Sequence, residues 1–283
     1  MQSVSPGAEI LLDSPQVLFP ARIFSFQCTR TQGIISFDDC TVLRSRKLII
    51  PHNQTMAVFR LLPDPFVFPP PELADPSGLL AVGGDLSVER ILTGYRQGIF
   101  PWYTADQPIL WWSPDPRLVL FPEEFHLPRR LARTVRQQVF TVTADQAFEK
   151  VMEQCATVRL AQGEQTWITP EMLEAYVKLH QLGYAHSIEC WQEGKLAGGL
   201  YGLCLDRVFF GESMFSRQRD SSKVALVFLV RLASTIGIRL IDCQVVSSHL
   251  QRFGARAISG ARFRSYLDQF IVRDKPQEKW RLQ

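Results

Sequence analysis

Two tight turns constrain the fold of this chain more than any other feature of its sequence. Residues 186–191, 196–205 and 208–215 are apolar runs separated only by Glu193-Gly194-Lys195 and by Asp206-Arg207. Connections this short join antiparallel neighbours, so the three runs read as a β-meander. The strongly apolar stretch 222–236 reads as a helix and 239–246 as a buried strand. A further helix is expected near 249–254, with a final element ending at Phe270. Antiparallel strands followed by helix and strand predict a mixed α/β sheet.

Upstream, local signals place more elements. The segment 78–101 reads as an apolar strand, a Gly83-Gly84 turn, and a short helix capped by Asp85 or Ser87, with Ile91, Leu92 and Tyr95 on one face and Gly98 closing it. Phe100, Trp102, Tyr103, Trp111 and Trp112 follow, in loops stiffened by Pro101, Pro108, Pro114 and Pro116. Then come a strand at 118–121, a basic helix near 129–138, a helix over 144–157, and a helix over 170–182 with Thr169 as cap. Residues 1–55 carry no sustained period, and the proline-rich stretch 63–71 must be extended, as a lead-in to the ordered part.

Composition removes whole classes. The 283 residues are 46% hydrophobic and 21% charged with a net charge of +3, so a substantial core is available and no global field draws the chain to nucleic acid or an anionic membrane. No apolar run approaches a bilayer span, and no membrane partner is expected. Six cysteines without a CxxC pair, and no export pattern, predict reduced thiols in a cytoplasm, where the Asn53 sequon carries no glycan. P-loop, GxGxxG, HExxH and GxSxG signatures and metal-spaced Cys/His sets are all missing, so phosphotransfer, dinucleotide redox and zinc hydrolysis lose their usual support.

Four groups remain as candidates for chemistry, each with an ordinary structural alternative. Arg129, Arg130, Arg133 and Arg136 lie in a stretch without acids, and the 129, 133, 136 spacing puts three on one helical face. Such a stripe suits nucleic-acid phosphates, or is simply solvated. Strand alternation puts Phe210, Glu212 and Met214 on one face, with Phe209, Ser213 and Phe215 opposite, unless Gly211 forms a bulge. Glu212 then either pairs with an Arg or Lys or awaits a cationic ligand. Asp242 and Gln244 share a strand face, either as a satisfied network or as a site in which Asp242 orients Gln244. Ser222-Lys223 opens a helix whose free N–H groups suit an anion, or which Asp220, Ser221 or Ser222 caps. His186 and His249 read as turn or packing histidines.

The motifs GLLAVGGDLS (78–87), GIFPW (98–102), LWWSPDPR (110–117), TWIT (166–169), GESMFS (211–216), Ser222-Lys223 and IDCQV (241–245) recur in order along the chain. Through them the stretch from about Phe59 to Phe270 resembles the leucyl/phenylalanyl-tRNA–protein transferase family. The resemblance implies an enzyme that moves Leu or Phe, and Met less readily, from aminoacyl-tRNA to the N-terminal Arg or Lys of proteins, marking them for degradation as N-degrons. It implies a small N-terminal domain, 57–117, and an acetyltransferase-like catalytic domain, 118–283. Residues 1–56 stand outside it as an N-terminal extension, with Met56 a candidate start. A cytoplasmic monomer without cofactor or metal is expected.

By motif position, Trp102, Trp167, Phe209, Met214 and Leu229 would form the pocket for the transferred side chain, and Glu212 would hold the acceptor's cationic end. Asp242 and Gln244 would carry catalysis, while Arg129, Arg130, Arg133, Arg136 and Lys223 would meet the tRNA. Departures from the family pattern are Leu229 in place of an aromatic, Leu200 in place of Met, Ser247-Ser248 in place of an Asn-rich segment, and Gly260 where a basic residue is common. Aminolysis of an aminoacyl ester is downhill, so positioning supplies most of the acceleration. An acetyl-CoA-dependent acetyltransferase and a non-catalytic RNA-binding module are the rivals; the first lacks a glycine-rich turn at 218–223, and the second leaves Glu212 and the Asp242/Gln244 pair without a role.

Overall fold

The computed structural model describes residues 58–273 and 275–282. The expected extension 1–56, with its sequon and with Cys28 and Cys40, lies outside the described residues.

Prolines allow only short strands in the N-terminal part. β1 (Phe59–Leu61) runs parallel to β2 (Leu79–Gly83), and β3 (Phe100–Pro101) and β4 (Leu110–Trp112) add antiparallel, giving the order β1-β2-β4-β3. The aromatic cluster read as loop is therefore partly strand. Trp111 is fully buried in β4 and donates its indole N–H to the Gly83 carbonyl at 2.9 Å. Between β2 and β3 lies α1 (Val88–Arg96), capped by Ser87 rather than Asp85, its hydroxyl accepting from the Arg90 N–H at 3.4 Å.

A second sheet begins with β5 (Arg117–Leu120), followed by α2 (Arg129–Arg136) and β6 (Thr141–Ala144). The sequence reading starts a helix at 144, but Thr141, Val142 and Thr143 pair across to the meander and Asp145 turns the chain with φ 55°. The helix, α3 (Phe148–Ala161), therefore begins later and buries Phe148, Val151, Met152 and Cys155 on one face. Next is α4 (Pro170–Gln181), with the Thr169 hydroxyl accepting from the Met172 N–H at 3.2 Å.

The meander forms as β7 (Ala185–Gln192), β8 (Lys195–Leu205) and β9 (Val208–Ser216), antiparallel throughout. Its middle strand is buried almost end to end because α3 and α4 cover one face of the sheet while α5 (Ser221–Ile236) covers the other. α5 is also the crossover that lets β10 (Leu240–Asp242) lie parallel to β9. The chain closes with α6 (Ser248–Gln251), β11 (Arg256–Ile258) and α7 (Gly260–Phe270), and the sheet order is β11-β5-β10-β9-β8-β7-β6. The fold is thus mixed α/β, and one hydrophobic cluster reaches from Ile91 and Trp111 through Val151 and Met172 to Phe263, so both sheets share a core.

Two irregularities in the β9–β10 region bear on the sequence reading: the first is the bulge it left open at Gly211, and the second corrects it. Gly202 pairs with Gly211 but Tyr201 pairs with Ser213, so Glu212 is the extra residue of a β-bulge. The bulge reverses the alternation: Phe210 joins Phe215 in one core cluster while Phe209 and Met214 join the other, and the grouping of Phe210, Glu212 and Met214 on one face does not hold. β10 ends at Asp242 instead of 246, and Gln244 adopts a left-handed φ of 62°. Pairing of the two parallel strands stops at Phe210 and Asp242 although β9 continues to Ser216, so they part like a fork.

Candidate active site

The fork opens into a hollow. β9 contributes Phe209, Glu212 and Met214 to its wall, α5 contributes Leu229, and the end of β10 contributes Asp242 and Gln244. Trp102 arrives from the β3–β4 connection and Trp167 from the loop before α4. Every residue that sequence reasoning assigned to the pocket or to catalysis therefore lines one space, and Leu200 joins them. Trp102 meets Trp112 and Trp167 edge-on, with ring centroids 5.4 and 6.3 Å apart. The Arg159 guanidinium lies 4.2 Å over the Trp167 ring.

The polar edge is at the fork. Glu212 is half-buried, and its Oε1 accepts from the Tyr95 hydroxyl at 2.8 Å and from the Gln244 side-chain amide at 3.0 Å, while Oε2 accepts from the Tyr176 hydroxyl at 3.3 Å. Among the described residues no Arg or Lys forms an ion pair with it, so the structural pairing expected as its alternative role does not occur. Burial pushes the Glu212 carboxyl up to about 8; the Tyr95 and Tyr176 hydrogen bonds and the Arg117 charge oppose that rise, and the negative Asp242 adds to it. Burial first, and the Glu212 charge second, also push the Tyr95 and Tyr176 phenols well up, which keeps both as donors.

Asp242 is held differently. It is fully buried and takes Arg117 in a two-point contact, Nε to Oδ1 at 2.9 Å and Nη2 to Oδ2 at 2.7 Å. Arg117 is itself buried between the Phe100 and Phe263 rings, 4.8 and 4.6 Å from their centroids. The same Asp242 Oδ1 accepts the Gln244 backbone N–H at 2.8 Å. Asp242 thus acts on Gln244 through the main chain, pinning the left-handed residue whose side chain reaches Glu212, and the two do not share a strand face as the sequence suggests.

Arg117, Tyr95 and Tyr176 are the functional-site residues that sequence reasoning missed. Arg117 closes the LWWSPDPR motif and Tyr95 stands on the apolar face of α1, yet no local spacing ties either to a carboxylate more than a hundred positions away. His249, read as a turn or packing histidine, also lines the hollow, as does Ser247 from the segment that departs from the family pattern. His186 instead packs in the interior, with Nδ1 2.7 Å from Asp145 Oδ2.

The arginines lie elsewhere. Arg129, Arg130, Arg133 and Arg136 are all exposed on α2, which packs against α5, and among the described residues none forms an ion pair. Lys223 differs, its Nζ lying 2.8 Å from Asp220 Oδ1. The first turn of α5 is served by the Ser216 hydroxyl, which accepts the Ser222 N–H at 3.1 Å, and not by the side chains of Asp220, Ser221 or Ser222. Among the described residues no His, Cys, Asp and Glu cluster is placed to hold a metal, and no helix is long and apolar enough to cross a membrane.

Sequence relationships agree with this geometry. A family profile described as leucyl/phenylalanyl-tRNA protein transferase matches residues 119–268, and one for that family's N-terminal domain matches 84–115. Over 225 residues the chain is 58% identical to the leucyl/phenylalanyl-tRNA–protein transferase of Syntrophobacter fumaroxidans, covering 80% of this chain and 96% of that protein. The chain belongs to the leucyl/phenylalanyl-tRNA–protein transferase family. This transferase is also 55% identical over 227 residues to the one from Anaeromyxobacter sp. strain Fw109-5, covering 80% and 96% of the two chains. It is an aminoacyltransferase acting on aminoacyl-tRNA and protein, as the motifs imply. A solved GCN5-related N-acetyltransferase from Kribbella flavida overlaps the transferase with a TM-score of 0.33 at 12% identity, covering 59% of this chain and 60% of that one.

Proposed function

We propose that the protein transfers Leu or Phe, and Met less readily, from aminoacyl-tRNA to the N-terminal Arg or Lys of proteins, marking them for degradation. It would act as a monomer, in the cytoplasm where charged tRNA is made, with residues 57–117 and 118–283 as its two domains. The carrying observation is one hollow that joins an apolar wall to the Glu212–Gln244 edge. In this reading the wall of Trp102, Trp167, Phe209, Met214 and Leu229 takes the transferred side chain. Glu212, which has no ion-pair partner among the described residues, takes the acceptor's cationic side chain. A cation arriving there draws the carboxyl into its charged form and displaces its proton near neutral pH.

Chemistry follows from placement. The acceptor's α-amine attacks the ester carbonyl, the C–N bond forms, the C–O bond to the ribose breaks, and the amine proton ends on the ribose oxygen. Gln244 commits its Nε2 to Glu212 at 3.0 Å, leaving its Oε1 to accept from the incoming amine. The α2 arginines would grip acceptor-stem phosphates, and Lys223 would join them only by leaving Asp220. The test mixes protein, leucyl-tRNA and an Arg-initiated peptide without coenzyme A. A peptide heavier by one leucine residue supports the reading. An unchanged peptide overturns it, and acetylation on adding acetyl-CoA would favour the rival.

A further inference from the structure

The C-terminal tail after α7 folds back over the sheet, beyond the residues that the family profile matches. Its backbone is anchored repeatedly. The Val272 and Arg273 N–H groups donate to Asp206 Oδ2 at 2.9 Å each, and the Gln277 N–H donates to the Gly183 carbonyl at 2.8 Å. Gly183, at φ +82°, admits this close approach because a Cβ there would sit 2.3 Å from the Gln277 carbonyl oxygen. The Gln277 side chain donates to the Asp206 carbonyl at 3.0 Å and accepts the Trp280 indole N–H at 2.8 Å.

These anchors deliver one side chain into the interior. Trp280 is 5% exposed although its neighbours Lys279 and Arg281 are exposed, and its backbone N–H donates to the buried Asp145 Oδ2 at 2.7 Å. Its ring stacks on His186 at 4.1 Å with planes 3° apart, and His186 Nδ1 is held by that same Asp145 oxygen. Trp280 also meets Phe209, with centroids 5.7 Å apart and planes tilted by 39°. Phe209 lines the hollow; Trp280 does not. The ring of Phe209 is confined from another direction too, because a Cβ on Gly202 would come within 2.6 Å of its ring carbon Cζ. Phe209 thus stands between the substrate hollow and a Trp280 ring locked by Asp145 and His186.

We propose that Trp280 is a specificity-positioning residue: from outside the hollow it fixes how far Phe209 projects inward, and so sets the size of the amino acid side chain that the hollow accepts. The inference rests on the proposed reading of the hollow as the acyl side-chain pocket. Interiors are packed too tightly for one wall to be set independently of what lies behind it. Removing the ring behind Phe209 lets Phe209 retreat and deepens the hollow, which favours a benzyl over an isobutyl side chain.

The experiment measures kcat/KM with phenylalanyl-tRNA and with leucyl-tRNA, for the full chain and for Trp280→Leu and Trp280→Phe, after thermal unfolding shows each to be folded. The Phe/Leu ratio is the readout, since lost stability or lost active fraction scales both donors alike. Trp280→Leu should raise that ratio roughly five- to tenfold and Trp280→Phe about two- to threefold, at or below the roughly tenfold minimum for a methylene lost directly from an apolar pocket, because the change reaches the hollow only through Phe209. A folded Trp280→Leu with the parental ratio overturns the proposal. If Trp280→Leu does not fold, Trp280→Phe decides alone, and an unchanged ratio there overturns it equally. Failure of the parental protein to transfer either amino acid would instead sink the reading of the hollow.

Discussion

Two regions of the transferase hold ionisable side chains in opposite surroundings. At the fork they are wholly or half withdrawn from water and each is held by several partners: Asp242 by Arg117 and the Gln244 backbone, Glu212 by Tyr95, Tyr176 and Gln244. On α2, Arg129, Arg130, Arg133 and Arg136 face solvent, and among the described residues none forms an ion pair. A charge inside is costly unless satisfied and little affected by salt, whereas a charge outside is cheap and strongly screened. The first arrangement suits placing atoms and the second suits gripping phosphates. The fork itself holds a smaller contrast, because Asp242 has a cation and Glu212 has none among the described residues.

That contrast is tested most severely at Arg117. Arg117→Met should cost about 3–5 kcal/mol of unfolding free energy in urea, because it strands Asp242 without a counter-charge. A loss below about 1 kcal/mol would mean that both carboxylates are held alike. Asp242→Ala and Gln244→Ala should each lower transfer about a hundredfold, the scale of losing one aligning group, while aminoacyl-tRNA binding persists. Unchanged turnover in both would remove the pair from catalysis.

Smaller effects sharpen the difference. With the Glu212 carboxyl pushed up to about 8, most of it is protonated at pH 7, and affinity for an Arg-initiated peptide should rise with pH and level off above about 8. Glu212→Gln should flatten that profile and weaken acceptor binding about tenfold at pH 8.5, with titration of the peptide amine common to both proteins. Stability follows the opposite sense. The folded form keeps this proton to higher pH than the unfolded chain does, so stability should fall as pH rises from about 4.5 to 8, and Glu212→Gln should abolish that part of the slope. Last, exchanging Arg129, Arg133 and Arg136 for Gln should make tRNA binding less salt-dependent, reducing the log–log slope by roughly 0.7–0.9 per lost phosphate contact. A slope that stays put would leave the stripe merely solvated, and salt should leave the fork effects nearly unmoved.

Much of this could be read from the chain. The turns at Gly194 and Asp206 define the meander, and the spacing of Arg129, Arg133 and Arg136 defines one face of α2. Three features could not be settled there. The bulge, left open at Gly211, falls at Glu212 because Gly202 and Gly211 pair while Tyr201 skips to Ser213, which is a property of two strands together. The early end of β10 depends on the Gln244 backbone finding Asp242 Oδ1 and Leu118. The helix expected from 144 starts later because Ile188, on a partner strand more than forty residues on, pairs with Ala144.

From its sequence alone the protein has its class, its family, the turns of its meander, the α2 stripe and eight of the side chains that line the hollow. These follow from spacings of a few residues and from ordered motifs. Only the tertiary structure decided that Asp242 meets Arg117, that Glu212 takes hydrogen bonds from two tyrosines, and that Trp280 reaches Phe209. Desolvation and registry are collective: how water is excluded from a carboxylate depends on every element packed around it, and no stretch of chain contains that information by itself.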